Sequence, residues 1–507
     1  MFSESLIKIA VKIYNSNIGK IFHLRNIKEN LEKTLSKPIS IYYSKKTLKK
    51  IQPLNKAYVT DKLSLETIHK YNYGQYYKLI ETHPELYSKL YQDIVEYQTN
   101  SLSSNTKIRI GFYIYSSSMW SCDELYNLLS RNPCYDPWII VVGYSYFMRE
   151  PERMELYNST IKYFREKQYN VIGSYDYQES PSPWTELGID ILVLLTPYDI
   201  MTPKTFALSN IPLNIPIYYI HYGLSVTDSS ELWNAYNFPG MLISEKYFCD
   251  SKKYLETYSK KSITNGMNCI YTGHPKMDTF YNKSSEHDIK TIWKISSDVD
   301  NSDNVSKIIY APHYSIWDAG IQFSTFDQNY QFVYQYAKEH PSTTSWIIKP
   351  HPHLKETSVY KGLFKNDEEY ENYMNMWDAL PNARVIRNGT YFNEFKTSDG
   401  IILDSSSFLI EYQYTGKPML YLRRPTQVFA PLAKELLEVI YTANGDDTEA
   451  IKRFIDEVLI NKNDRLIDKR KAFFEKNLDY VHDHSGLLAS ESIYNYFNEK
   501  YLENRNI

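Results

Sequence analysis

Ser398-Asp399-Gly400-Ile401-Ile402-Leu403-Asp404-Ser405-Ser406-Ser407-Phe408-Leu409-Ile410-Glu411 is the stretch whose reading decides the fold. Gly400 to Leu403 is an apolar run of strand length, and it stops at an acid and three hydroxyls. Phe408 to Tyr414 then reads as a helix, ended by Thr415-Gly416-Lys417-Pro418 with Gly and Pro as stop signals. Strand, polar turn and helix make the repeating unit of an open α/β sheet, where ligands bind beyond the carboxyl ends of the strands. A helix N-terminus presents unpaired N–H groups and a positive dipole end to a phosphate, and serine hydroxyls add donors. Glu411, one turn after Ser407, can face the same cleft, for instance towards ribose hydroxyls. Ser and Asp also cap helices routinely, so the stretch alone leaves both readings open.

The same alternation continues on either side. Lys307–Ala311, Ser345–Lys349, Ala383–Ile386 and Met419–Leu422 read as strands, Tyr330–His340 as a helix, and 427–476 and 486–501 as helical. Upstream of a polar stretch, Asn282 to Lys307, the strands are Lys107–Tyr115, Asp136–Gly143, Asn170–Gly173, Ile189–Leu195, Ile215–Ile220 and Met241–Ser244. Helical character lies at Cys122–Arg131 and Pro151–Lys167, and residues 62–100 continue as helix. Strands alternating with helices imply parallel sheets. The expected fold is α/β and GT-B-like: two Rossmann-like domains facing a cleft, with a helical basic N-terminal extension. The divisions are 1–104 for the extension, 105–285 for an acceptor domain, 286–305 for a linker, 306–480 for a nucleotide-donor domain and 481–507 for a C-terminal helix.

A chain of 507 residues is too long for one core. With 43% hydrophobic and 23% charged residues it has a soluble, globular composition. The 49 tyrosines accompany abundant Lys, Asn and Ile and fit an AT-rich coding sequence, so no function is attached to them. Cys122, Cys134, Cys249 and Cys269 lack CxxC spacing, which argues against a zinc knuckle or disulfide framework and for reduced intracellular thiols. No apolar run approaches a membrane span, and no signal peptide is evident. Net charge is −3, yet residues 1–60 hold twelve Lys/Arg against three acids. Residues 3–23 read as a basic amphipathic helix, followed by Lys45-Lys46 and Lys49-Lys50. An anionic membrane surface is the expected partner of 1–60, and nucleic acid is not, since no binding module accompanies the charge.

Four further polar clusters sit at strand ends: His221-Tyr222-Gly223, Thr272-Gly273-His274-Pro275-Lys276-Met277-Asp278, Ala311-Pro312-His313-Tyr314-Ser315 and Lys349-Pro350-His351-Pro352-His353. Neutral His can accept a proton, and His can also serve a leaving phosphate. His351 and His353 could share one ion in an extended loop, but no DxD-like carboxylates accompany them, so no metal is expected.

In order, these clusters resemble the CDP-glycerol glycerophosphotransferase family of teichoic-acid and capsule-polymer enzymes over roughly 190–425. His221 stands at the family's His-Gly position, Thr272–Asp278 at its TG-x-P-R-x-D, and Tyr310-Ala311-Pro312 at its Tyr-Ala-Pro. His351-Pro352 matches its His-Pro, and Leu403-Asp404-Ser405-Ser406-Ser407 with Glu411 its TDYSS-x-x-x-D, with Glu for Asp. The family's Thr-Trp-Arg after Tyr-Ala-Pro is His313-Tyr314-Ser315 here, and Tyr222 replaces the Gly after its first His. The resemblance implies a cytoplasmic enzyme, peripheral on the inner membrane face, that moves a polyol phosphate from a CDP-activated donor to a glycan or lipid-linked hydroxyl. No separate cofactor is implied, and family polymerases suggest self-association. It implies His221 and His351 as catalytic, with Lys349, His313, Asp404, Ser405, Ser406, Ser407 and Glu411 holding the donor nucleotide. The His-Pro and Ser-Ser pair also resembles bacterial sialyltransferases, which keeps a glycosyltransferase using a CMP- or UDP-sugar as an alternative. A non-catalytic subunit of a glycan-assembly complex is the third reading.

Overall fold

The computed structural model describes residues 72–101, 107–144, 150–180, 182–199, 202–224, 226, 236–281, 291–316, 322–387 and 391–503. The basic helix expected at 3–23, the lysine pairs at 45–50 and residues 282–290 of the polar stretch lie outside them.

Two parallel sheets organise the chain. The first holds seven strands: β1 (Ile108–Ile114), β2 (Tyr135–Val141), β3 (Val171–Gly173), β4 (Ile191–Leu194), β5 (Ile217–Ile220), β6 (Lys246–Cys249) and β7 (Cys269–Tyr271). Their order is β3-β2-β1-β4-β5-β6-β7. The second holds β8 (Ser306–Ala311), β9 (Thr344–Ile348), β10 (Ala383–Val385), β11 (Gly400–Leu403), β12 (Met419–Arg423) and β13 (Tyr441–Asn444), in the order β10-β9-β8-β11-β12-β13. Central strands such as β4, β9 and β11 are buried along their whole length, as expected when helices cover both faces of a parallel sheet. This is the GT-B-like, doubly wound pair. In each sheet the strand order reverses once, between β1 and β4 and between β8 and β11, and such switch points form the ligand crevices of open α/β sheets.

Three expectations are corrected. Met241–Ser244 is not a strand: Pro239–Leu242 is a helical turn, and the strand β6 follows it. Pro239 at the first helical position pre-sets the turn, and Gly240 lies so close to Pro197 that a Cβ would meet its backbone at 2.8 Å. The stretch 427–476 is not all helical, because it contains β13, an edge strand with alternate residues exposed and no apolar run to betray it. Within the described part of 62–100 the helix is broken at Pro84 into Tyr73–Thr82 and Tyr87–Ser101.

Those two helices share the core of the first sheet rather than standing apart from it. Tyr73, Tyr76, Leu79, Ile80, Leu90 and Ile94 bury with Leu192, Leu194 and Ile217. Gln98 Nε2 donates to the Leu213 carbonyl at 2.7 Å. The C-terminal helix Ala489–Tyr501 returns to the opposite face of the same sheet, where Ile493, Phe497 and Tyr501 pack with Ile110, Phe112 and Tyr218. Its first turn is held by Asp278, which accepts the Ala489 and Ser490 N–H groups at 2.9 and 2.8 Å. Among the described residues no helix is long and apolar enough to cross a membrane.

Candidate active site

The switch point of the second sheet gathers three of the polar clusters. β8 and β11 pair Ala311 with Leu403, so Pro312-His313 and Asp404-Ser405 leave the sheet side by side. β9 lies on the other side of β8, and the ladder continues past its end: Lys349 N–H donates to the Tyr310 carbonyl at 2.8 Å and His351 N–H to the Pro312 carbonyl at 3.1 Å. The His313 and His351 rings come to 5.1 Å, each 4.5 Å from the ring of Tyr314.

Both histidines are held neutral with a defined free nitrogen. His351 Nδ1 accepts the His353 N–H at 3.2 Å, which leaves the proton of a neutral imidazole on Nε2. Ser315 Oγ accepts the Phe323 N–H at 3.0 Å, so its own proton is available to His313 Nδ1 at 2.8 Å. His313 therefore also carries its proton on Nε2. Burial pushes His313 down to about 3. Burial, reinforced by the charges His313, His353 and Lys349 would carry, takes His351 to about 2. Two Nε2–H donors at a strand end suit an anion. Lys349 beside them is half-buried and lowered by that burial, against the opposing pull of Glu394; its ammonium has no hydrogen-bond or ion-pair partner among the described residues.

The serine turn is not an ordinary cap. Ser406 occupies the N-cap position of the short helix Ser407–Glu411, yet its side chain makes no capping bond. None of the Ser405, Ser406 and Ser407 hydroxyls has a partner among the described residues.

Two expected donor-binding residues are placed elsewhere. Asp404 is buried and faces inward: Oδ1 accepts the His313 N–H at 2.5 Å, while Oδ2 accepts both the N–H and, at 2.9 Å, the hydroxyl of Thr325. It fixes the His313 turn against the start of the helix Phe326–Glu339, and both its oxygens are taken by the fold. Burial raises it to about 6 in spite of these donors. Glu411 is 0% exposed. Its oxygens are taken by Lys276 Nζ at 2.9 Å and by the Tyr391 hydroxyl, so it is a junction residue rather than a free ribose acceptor.

The first domain delivers His221 from the end of β5. The loop beyond it crosses to the second domain, where Leu224 and Val226 bury beside Ile309, Leu403 and Leu409, and the Val226 carbonyl accepts the Ala430 N–H at 2.7 Å. His221 Nδ1 lies in close contact with the Gly223 carbonyl oxygen. The Gly223 N–H also lies 3.1 Å from Nδ1; in the tautomer that donates Nδ1–H to the carbonyl, Nε2 is the basic nitrogen. Burial brings His221 to about 4, the Gly223 carbonyl raising it and the Lys276 charge lowering it. His274 is buried behind it: Nε2 donates to the His221 carbonyl at 2.7 Å and Nδ1 accepts the Lys276 N–H at 3.2 Å. Gly273, at φ +72°, makes the turn that permits this, and a Cβ there would meet Tyr480 at 3.0 Å. Among the described residues no three metal-ligating side chains converge.

Sequence reasoning missed Arg423 and Arg424 at the end of β12, the strand next to β11. Arg424 Nη2 pairs with Asp327 at 2.5 Å. Arg423 stacks on Phe429 at 5.4 Å, with its buried Nε unpartnered. The signal was present as an Arg-Arg-Pro directly after Met419–Leu422, the same strand-end rule that found the other clusters.

No protein-family model matches this chain, and no curated protein matches its sequence. Among solved structures it is similar to the wall teichoic acid polymerase TagF soaked with CDPG, at 12% identity and a TM-score of 0.49, covering 81% of this chain and 94% of that one. It is similar to the UDP-GlcNAc 2-epimerase from Neisseria meningitidis bound to UDP-GlcNAc, at 14% identity and 0.48, covering 78% and 100%. S. aureus MnaA with UDP gives 12% and 0.47, covering 78% and 97%. The fold assignment rests on the chain's own two sheets, and these are likenesses of fold.

Proposed function

We propose that this chain is a transferase that moves a polyol phosphate, glycerol phosphate first among them, from a CDP-activated donor to a hydroxyl of a glycan or lipid-linked acceptor. The observation that carries it is the meeting of His313, His351 and three uncommitted serine hydroxyls at one switch point, with His221 brought to the same junction by the loop after β5. The acceptor oxygen attacks the phosphorus that bears the polyol, the bond from that phosphorus to the CMP oxygen breaks, and the acceptor proton passes to His221 Nε2. General-base help of this kind is worth about 10²–10⁴-fold. His313 and His351 Nε2–H, Lys349 and the serine hydroxyls bind the phosphates and stabilise departing CMP. Arg423 is the guanidinium available to stand in for the family arginine whose place Ser315 takes. The donor is a substrate, and no cofactor enters these steps. Residues 1–60 supply the charge for an anionic membrane surface that would keep the enzyme near a lipid-linked acceptor.

A nucleotide-sugar glycosyltransferase is the second reading, favoured by the same absence of arginine after Pro312. A turnover panel of CDP-glycerol, CDP-ribitol, CMP-sialic acid and UDP-sugars separates the two. The expected result is CMP release from CDP-glycerol, lowered about 10²–10³-fold in His351→Ala and also lowered in Ser406→Ala. Turnover of a CMP- or UDP-sugar in place of CDP-glycerol would overturn the polyol-phosphate reading.

A further inference from the structure

The first sheet has a switch point of its own, between β1 and β4, and donor binding does not use it. β1 runs out into Tyr115 and a second serine triplet, Ser116-Ser117-Ser118, and β4 into Thr196-Pro197-Tyr198. On either side, β2 ends at Gly143-Tyr144 and β5 at His221-Tyr222. The serines are partly consumed by the fold: Ser116 Oγ accepts the Ser118 N–H and Thr160 Oγ1 the Ser117 N–H, both at 3.3 Å.

The tyrosines are presented differently. Tyr144, Tyr198 and Tyr222 are each half-buried, and each ring is backed by another. Tyr144 stacks on Tyr115 at 5.0 Å and 21°, Tyr222 on His221 at 4.5 Å and 24°, and Phe238 meets Tyr198 edge-on at 4.9 Å. Tyr222 lies within hydrogen-bonding reach of Tyr198, and Tyr314 of the second domain stands near Tyr198. The result is an aromatic wall with hydroxyls along it, next to the His221 base.

The described residues of its surface carry no positive charge, and their one acid, Asp199, is turned into the fold, where Oδ1 accepts the Leu208 N–H at 2.7 Å. Residues 115–120, 142–144, 195–199 and 221–224 contain no Lys or Arg. Two described cations near them are engaged, Arg153 Nη1 with the Tyr144 carbonyl at 3.3 Å and Lys276 with Glu411. A polyanionic acceptor needs unpaired cations along its path; a sugar ring needs a flat apolar face for its C–H groups and polar edges for its hydroxyls.

We infer that the wall of Tyr144, Tyr198 and Tyr222 is the acceptor subsite, and that it takes an uncharged sugar ring. The inference rests on the transferase reading above and sharpens it: the enzyme adds to the sugar terminus of a glycan and does not extend a polyol-phosphate chain of its own making.

The test is saturation-transfer NMR on the full chain with methyl β-glycosides of glucose, galactose, N-acetylglucosamine and N-acetylmannosamine, with a glycerol-phosphate oligomer as competitor. Ring C–H protons of at least one glycoside should saturate. Tyr144→Leu and Tyr198→Leu should each weaken that binding ~3–10-fold, while Tyr144→Phe, which keeps the face and loses only the hydroxyl, should bind nearly as well as wild type. The inference is overturned if no glycoside saturates, if the Leu variants bind as wild type does, if Tyr144→Phe loses binding, or if the oligomer displaces the sugar in a salt-sensitive way. CDP binding, followed by thermal shift on the same samples, separates the two readings. Glycoside binding without any CDP response sinks the CDP-donor reading and leaves the wall standing; CDP binding without glycoside binding does the reverse.

Discussion

At the scale of single residues, the acids of the serine stretch do different work from the hydroxyls beside them. Asp404 is a short carboxylate at the end of a buried strand, and backbone N–H groups claim it before any ligand can. Asp404→Asn keeps the shape but turns one acceptor into a donor facing other donors. The expected cost is about 2–4 kcal/mol of stability, from the loss of charge-assisted hydrogen bonds and the stranding of buried N–H groups, read as a fall in Tm. It should also lower nucleotide affinity by loosening the His313 turn. A Tm equal to wild type would show that the Pro312–Ser315 turn holds itself. The serines could not be assigned from sequence because Ser is equally a cap and a donor, and only the unmade capping bond of Ser406 separates the two uses.

At the scale of elements, the junction is closed by two devices: the apolar loop after β5 and the Lys276–Glu411 pair. Glu411 is fully buried and the Lys276 side chain is 15% exposed. Desolvating both charges consumes much of their attraction, so the pair adds little net stability, yet removing one partner strands the other. Lys276→Met should therefore destabilise by about 3–5 kcal/mol, and Lys276→Met with Glu411→Gln should recover part of it. Chemical denaturation of the two single variants and the double tests this, and simple additivity would refute a coupled pair. The elements that sequence reading missed share one physical cause. β6, β7 and β13 are three or four residues long and, unlike the equally short β11, hold no run of aliphatic residues, so their pairing with a neighbouring strand decides them.

At the scale of the whole molecule, burial of neutral histidines sets the response to acid. His221, His274, His313 and His351 sit at about 4, 3, 3 and 2, below the ordinary histidine value near 6.5. Below about pH 6.5 the unfolded chain takes up these protons and the native chain does not, so stability is fully present above that pH and is lost as pH falls towards about 4. Asp278 and Asp404, raised to about 6, act in the opposite sense: the native chain binds their protons first, which favours folding as pH falls from about 6 towards 4. Four depressed histidines outweigh two raised acids, so thermal melts should show Tm falling steadily between about pH 6.5 and 4. A flat or rising Tm over that range would mean that these histidines can reach water in the native state.

The sequence by itself determined the two alternating α/β halves and the positions of the polar clusters, because a buried parallel strand must be a short apolar run and the chain must turn polar where it leaves the sheet. It could not determine which clusters meet. His313, His351 and Ser405–Ser407 lie far apart along the chain, and strand order alone places them at one edge. Nor could it separate acids that face a ligand from acids consumed by the fold, since that depends on which N–H groups and cations packing brings within reach of each carboxylate. Asp278, Asp404 and Glu411 were all spent on the fold, and only the tertiary structure decided it.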